Sequence, residues 1–144
     1  MTQLTLGEAN ALCIGALAAA EERGYAPLCV AVVDAGGHLL ALQRHERAGT
    51  GRPAIAIAKA SSCLSMGFGG RELERRAQLL PDFFVALSSV LPHGMVALPG
   101  GALLKRADGT VVGAVGVSGD TSEHDENCIL AGIPAAGLFA DVGS

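Results

Sequence analysis

Leu6, Ala9, Leu12, Cys13, Ala16, Leu17 and Ala20 recur at the three- and four-residue spacing of an amphipathic helix. Thr5 with Glu8 forms a capping box ahead of this run and Gly24 stands where it stops, so the first element is a helix whose apolar stripe needs a sheet to cover. Two β-rich runs follow, Leu28 to Asp34 and Leu39 to Arg44, joined through Ala35, Gly36, Gly37 and His38 as an antiparallel hairpin. Beyond the loop 49–53, Ala54 to Met66 is a small-residue helix with Pro53 in its first turn and Lys59 as its one charge. Glycines 67, 69 and 70 break it, a helix is predicted over Glu72 to Leu79, and Pro81 separates that from Asp82 to Leu91. Met95 to Leu98, Ala102 to Arg106 and Val111 to Ser118 read as three further strands, linked by Pro99-Gly100-Gly101 and the Asp108-Gly109 turn.

The most informative stretch is VVGAVGVSGDTSEHDE, Val111 to Glu126. Its valines predict a strand buried on both faces, and Gly113 and Gly116 leave room beside it for another backbone or a ligand. Asp120 with Glu123 fits a capping box, so the last helix is predicted from about Thr121 to Ala131, with Gly132 and Pro134 ending it. The order helix, hairpin, helices, three-stranded meander, helix lacks the strand–helix alternation of a doubly wound parallel sheet. It indicates an antiparallel α+β fold.

Composition narrows the class. A chain of 144 residues suits one domain, 1–144, able to form a core without disulfides or metal. Only 3 % of it is aromatic and Gly occupies 20 positions, so small aliphatic side chains must pack closely. So apolar a chain, with 17 % charged residues, implies subunits covering part of its surface, and a homo-oligomer is expected. The net charge of −4 opposes nucleic-acid binding. Arg71, Arg75 and Arg76, interleaved with Glu72 and Glu74, read as a solvated helical face. The start MTQLTLGEAN has no signal-peptide pattern and no apolar run suits a membrane span, so a cytoplasmic location is expected. Cys13, Cys29, Cys63 and Cys128 stand singly in apolar elements and read as buried free thiols.

Several linked motifs carry a family resemblance. Val32 to Leu39 reads VVDAGGHL, Arg44 ends the second strand, and Ala58-Lys59-Ala60 lies in the helix. Pro99-Gly100-Gly101, Val112 to Gly119, Asp125-Glu126 and Ala131-Gly132 complete the series, in order along almost the whole chain. Together they resemble the GlcG/HbpS-like haem-binding domain family, which also forms the C-terminal domain of PduO-type cobalamin adenosyltransferases. The resemblance implies a profilin-like or PAS-like fold, an antiparallel five-stranded sheet with helices packed on its faces, assembled as dimers or larger oligomers such as octamers. It also implies haem binding or a role in small-molecule catabolism. The chain departs from the usual family pattern after Arg44, where His45-Glu46-Arg47-Ala48 replaces a common Asp-Gly-Ala run.

Haem needs an axial donor, and His38, His45, His93 and His124 are the candidates, with Met66 and Met95 as softer ones that more often fill a core. The rival reading is an enzyme of small organic acid or ring-cleavage-product catabolism. There Arg44 and Lys59 would bind a carboxylate, and His124, Asp125 or Glu126 would move a proton. In either reading the cofactor or ligand site lies at Arg44, Lys59, Gly100, Gly101, Ser118 and Gly119, where a haem propionate could equally face Lys59. The bland alternative pairs Lys59 with Asp125 or Glu126 in a structural ion pair. His124 and Cys128, at i and i+4, offer two metal ligands without a third in view. No Gly-x-Ser-x-Gly elbow and no phosphate-binding Gly-Lys-Ser/Thr loop is present.

Overall fold

A computed structural model describes residues 3–144. The elements run α1 (Leu6–Arg23), β1 (Cys29–Asp34), β2 (Leu39–Arg44), α2 (Arg52–Met66), α3 (Gly70–Leu79), α4 (Pro81–Val90), β3 (Gly101–Lys105), β4 (Val111–Ser118), α5 (Ser122–Ala136) and β5 (Phe139–Asp141). The five strands form one antiparallel sheet in the order β2-β1-β4-β3-β5. No helix among the described residues is long and apolar enough to cross a membrane.

Strand alternation assigns the two faces. Val30 and Val32 of β1, with Val115 and Val117 of β4, pack against Leu12 and Ala16 of α1 and Cys128 and Ile129 of α5. Cys29, Ala31 and Val33 face the opposite way and meet Ala56, Ala60 and Cys63 of α2. Small residues let α2 come close on that side: a Cβ on Gly116 would stand 2.0 Å from the Ala56 carbonyl oxygen. The predicted room beside Gly116 is therefore filled by helix backbone.

The Thr5–Glu8 capping box forms as predicted, and Gly24 ends α1 in the left-handed region. Three expectations need correction. Met95 to Leu98 is not a strand: the Val96 N–H donates to the Ser62 hydroxyl at 3.0 Å instead of to a sheet neighbour, and the fifth strand is the short β5. The last helix continues past Gly132 to Ala136 with Pro134 inside its last turn, and Gly137 ends it. Gly132 serves packing, because α1 crosses α5 where a Cβ on Gly15 would stand 2.8 Å from the Gly132 Cα. Finally, Thr121 and not Asp120 caps α5, its hydroxyl accepting from the His124 N–H. Asp120 is held elsewhere, accepting from the Ala26 N–H.

Candidate functional site

Two adjacent carboxylates in the first turns of α5 each hold a cation from another layer. Lys59, buried to 3 % exposure on α2, donates to the Val117 carbonyl at 2.9 Å and to Asp125 Oδ2 at 3.1 Å. Gly100 makes that reach possible. It has φ +98°, and a Cβ there would stand 2.9 Å from both Lys59 Nζ and the Asp125 Cβ. Gly101 is equally confined, against Cys63 Sγ and the Lys59 carbonyl. Burial raises the Asp125 carboxyl above its ordinary range, while Lys59 and the Asp120 N–H pull it back. Glu126, also buried, accepts a bidentate grip from Arg71 of α3 at 2.8 to 3.0 Å. Arg71 stays partly exposed on the helical face but reaches Glu126 of α5, whereas Arg75 and Arg76 pair with Glu72 of their own helix. No sequence signal distinguished Arg71 from its neighbours.

His124 points away from this pair of carboxylates. Its ring stacks on Tyr25 at 3.9 Å between centroids, and Nδ1 lies 2.9 Å from Asp120 Oδ1. The backbone N–H groups of Ala26 and Thr121 hold the Asp120 carboxyl below its usual range. The Cys128 thiol is buried, and burial pushes it up to about 11. His124, Asp125 and Glu126 are consecutive in sequence, yet their side chains engage three different partners.

Arg44 lies at the other side of the sheet end. Arg44 pairs with Cys29 across β1–β2 and Cys29 with Ser118 across β1–β4, so the three side chains stand in one row on the α2 face. Arg44 and Lys59 share no hydrogen-bond or ion-pair partner. Gly119 seals the corner, since a Cβ on it would stand 2.4 Å from the Pro27 carbonyl oxygen. Arg52, which sequence reading passed over, donates to the Ser118 hydroxyl at 3.0 Å.

The remaining histidines divide. His45 is folded into its own loop, Nδ1 accepting from the Arg47 N–H at 3.0 Å. His38 and His93 line one cleft of about 420 Å³ between the β1–β2 turn, the C-terminal half of α2 and the loop after α4. Leu64 and Pro92 supply its apolar wall, Ser61 and Ser65 its polar one. His38 Nδ1 lies 3.4 Å from Asp34 Oδ1, the oxygen that also accepts from the Gly36 and His38 N–H groups. Met66 and Met95 pack against the core on the α2 side.

Residues 4–134 match the family described as haem-degrading protein, HbpS-like. The chain belongs to the HbpS-like family. Among solved structures the chain is similar to a PduOC–haem complex, at 27 % identity and TM-score 0.85, covering 96 % of this chain and 99 % of that one. It is similar to HbpS at 31 % identity and TM-score 0.79, covering 93 % and 90 %. The Klebsiella pneumoniae protein ORFY is 27 % identical with TM-score 0.82, covering 94 % and 92 %. No curated protein matches the chain. The fold shared with these HbpS-like relatives is the antiparallel α+β architecture described above.

Proposed function

We propose that this HbpS-like chain binds haem in the cleft shared by His38 and His93, with His38 as the leading axial donor. The observation that carries this reading is the cleft itself, which brings His38 and His93 together beside an apolar wall, whereas His45 and His124 lie outside it. Asp34 Oδ1 stands 3.4 Å from His38 Nδ1, and Nε2 has no hydrogen-bond partner among the described residues, so it would be the nitrogen that meets the iron. The cleft joins two imidazoles to an apolar wall and contains no thiol, a donor set that fits haem iron. Haem would supply the redox-active iron. The protein would contribute an imidazole oriented by Asp34, the Leu64 and Pro92 wall against the macrocycle, and the Ser61 and Ser65 hydroxyls toward polar groups. The haem complex of a similar domain supports haem as the ligand.

Hemin titration of the purified protein should saturate at a defined stoichiometry with a Soret band. His38→Ala should displace or abolish that band and His93→Ala should alter it, whereas His45→Ala and His124→Ala should leave it unchanged. Absence of saturation, or a Soret change confined to the His45 or His124 variant, would overturn the assignment.

The second reading is catalysis on a small organic acid. Its proton carriers would be Asp125, Glu126 or His124, of which the two carboxylates are buried and held by Lys59 and Arg71. Arg44 and Arg52, near the N-terminal end of α2, would be the residues to hold its carboxylate.

A further inference from the structure

Six of the ten Lys and Arg residues have an acidic partner within 4 Å among the described residues, namely Lys59, Arg71, Arg75, Arg76, Lys105 and Arg106. Of the four without one, Arg23, Arg44, Arg47 and Arg52, three fall between positions 44 and 52. In a chain of net charge −4 this is a local concentration of uncompensated positive charge. The one acid within that segment, Glu46, faces His45 Nδ1 at 3.7 Å.

Two of these arginines are fixed in place. Arg44 Nη1 donates to the carbonyls of His45, Glu46 and Ala48, so the loop after β2 curls around the guanidinium. Arg52 Nη1 is anchored on Ser118, itself 1 % exposed. The row Arg44, Cys29, Ser118 spans two strand spacings, roughly 10 Å of backbone, and both side chains lie on the α2 face. The other N–H donors of each guanidinium have no partner among the described residues. Arg52 also opens α2, whose first turn holds no acid and whose N-cap, Gly51, contributes no side chain. The positive end of that helix therefore adds to the two guanidiniums.

We propose that this corner is a binding site for a small anion, a carboxylate or a phosphate, held by Arg44 and Arg52 where β2 and β4 meet the start of α2. It is separate from the haem cleft, which lies along residues 61 to 65 of the same helix. Guanidinium forks recognise both oxyanions through paired N–H donors, so the shared chemistry is a planar or tetrahedral oxyanion group.

The test is calorimetric and thermal-shift titration of the full chain with inorganic phosphate and, separately, with sodium acetate, each against sodium chloride at matched ionic strength. A saturable response to either probe supports the site, and the probe that saturates at lower concentration identifies the ligand class. Arg52→Met should weaken that binding by about tenfold or more, the loss of a charged hydrogen bond. Arg52→Lys should recover part of it, and both variants should keep the wild-type circular dichroism and hemin titration. The proposal is overturned if both probes merely track chloride, or if Arg52→Met saturates at the wild-type concentration. Because the wild-type titration decides on its own, a variant that failed to fold would not rescue the idea. Hemin binding reads the other cleft, so either site can fail without the other.

Discussion

Lys59 shows what a single residue decides. An ammonium in the middle of an apolar helix must reach water or a counter-charge, and here it reaches Asp125 across the open end left by Gly100. Lys59→Met should destabilise the fold by about 3–5 kcal/mol at neutral pH, because it leaves the Asp125 carboxylate buried without its cation. The double variant Lys59→Met with Asp125→Leu should recover much of that loss, and urea unfolding midpoints measure both. A stable Lys59→Met protein that lost anion affinity would instead return Lys59 to a ligand role. The pH dependence has a definite sign. Burial raises the folded Asp125 pKa, so protonated Asp125 favours the folded state at low pH, and that advantage is lost as pH rises through and above its unfolded value. The Lys59→Met penalty should accordingly grow with pH and shrink below about pH 4, where Asp125 is protonated in both states.

At the scale of elements, helix ends and crossings carry the argument. Glu8 closes the α1 capping box and also pairs with Arg106 of the segment after β3, and its carboxyl is held down at about 2 chiefly by Arg106, with Thr5 adding to the effect. A depressed folded pKa means that this stabilisation is complete above the unfolded value near 4.5 and is lost as pH falls toward 2. Glu8→Gln should therefore cost roughly 0.5–2 kcal/mol at pH 7, the range of a lost cap, and progressively less below pH 4.5, as read by thermal melts across pH. The crossing of α1 and α5 depends on Gly15 and Gly132. A Cβ on Gly132 would meet the Leu12 carbonyl oxygen at 2.9 Å, so Gly132→Val should lower stability by about 1–3 kcal/mol through overpacking. A melting temperature at or above wild type would show that the helices can separate without loss.

Across the whole molecule, the α2-side layer leaves apolar surface open. Leu79, Leu80, Phe83, Val85 and Val90, on and beside α4, are all at least half exposed, which is a dense group for one twelve-residue stretch. We propose that copies of the chain cover such surface in solution. Light scattering at micromolar concentration should give a mass that is a multiple of 14.5 kDa, and a monomer mass throughout that range would refute the proposal.

Periodicity alone was enough for most elements, because local backbone chemistry sets them. The three-and-four spacing and capping box of α1, the hairpin through Gly36 and Gly37, and the Val-rich β4 are each decided by neighbours in the chain. So are the α+β class and the shared motifs that place the chain in its family. Met95 to Leu98 has strand composition but lies where Ser62 takes the Val96 N–H, and the sheet took β5 instead, a choice made by a partner 34 residues away. Gly132 and Pro134 carry the local signal of a helix end, yet packing on α1 carries the helix past them. The candidate site divides in the same way. Lys59 with Asp125 was legible as an alternative, since a lone buried cation demands an acid. Arg71 on Glu126, Arg52 on Ser118, and the meeting of His38 with His93 were not, because each joins groups 55 or more residues apart through the order of strands, which no local spacing encodes.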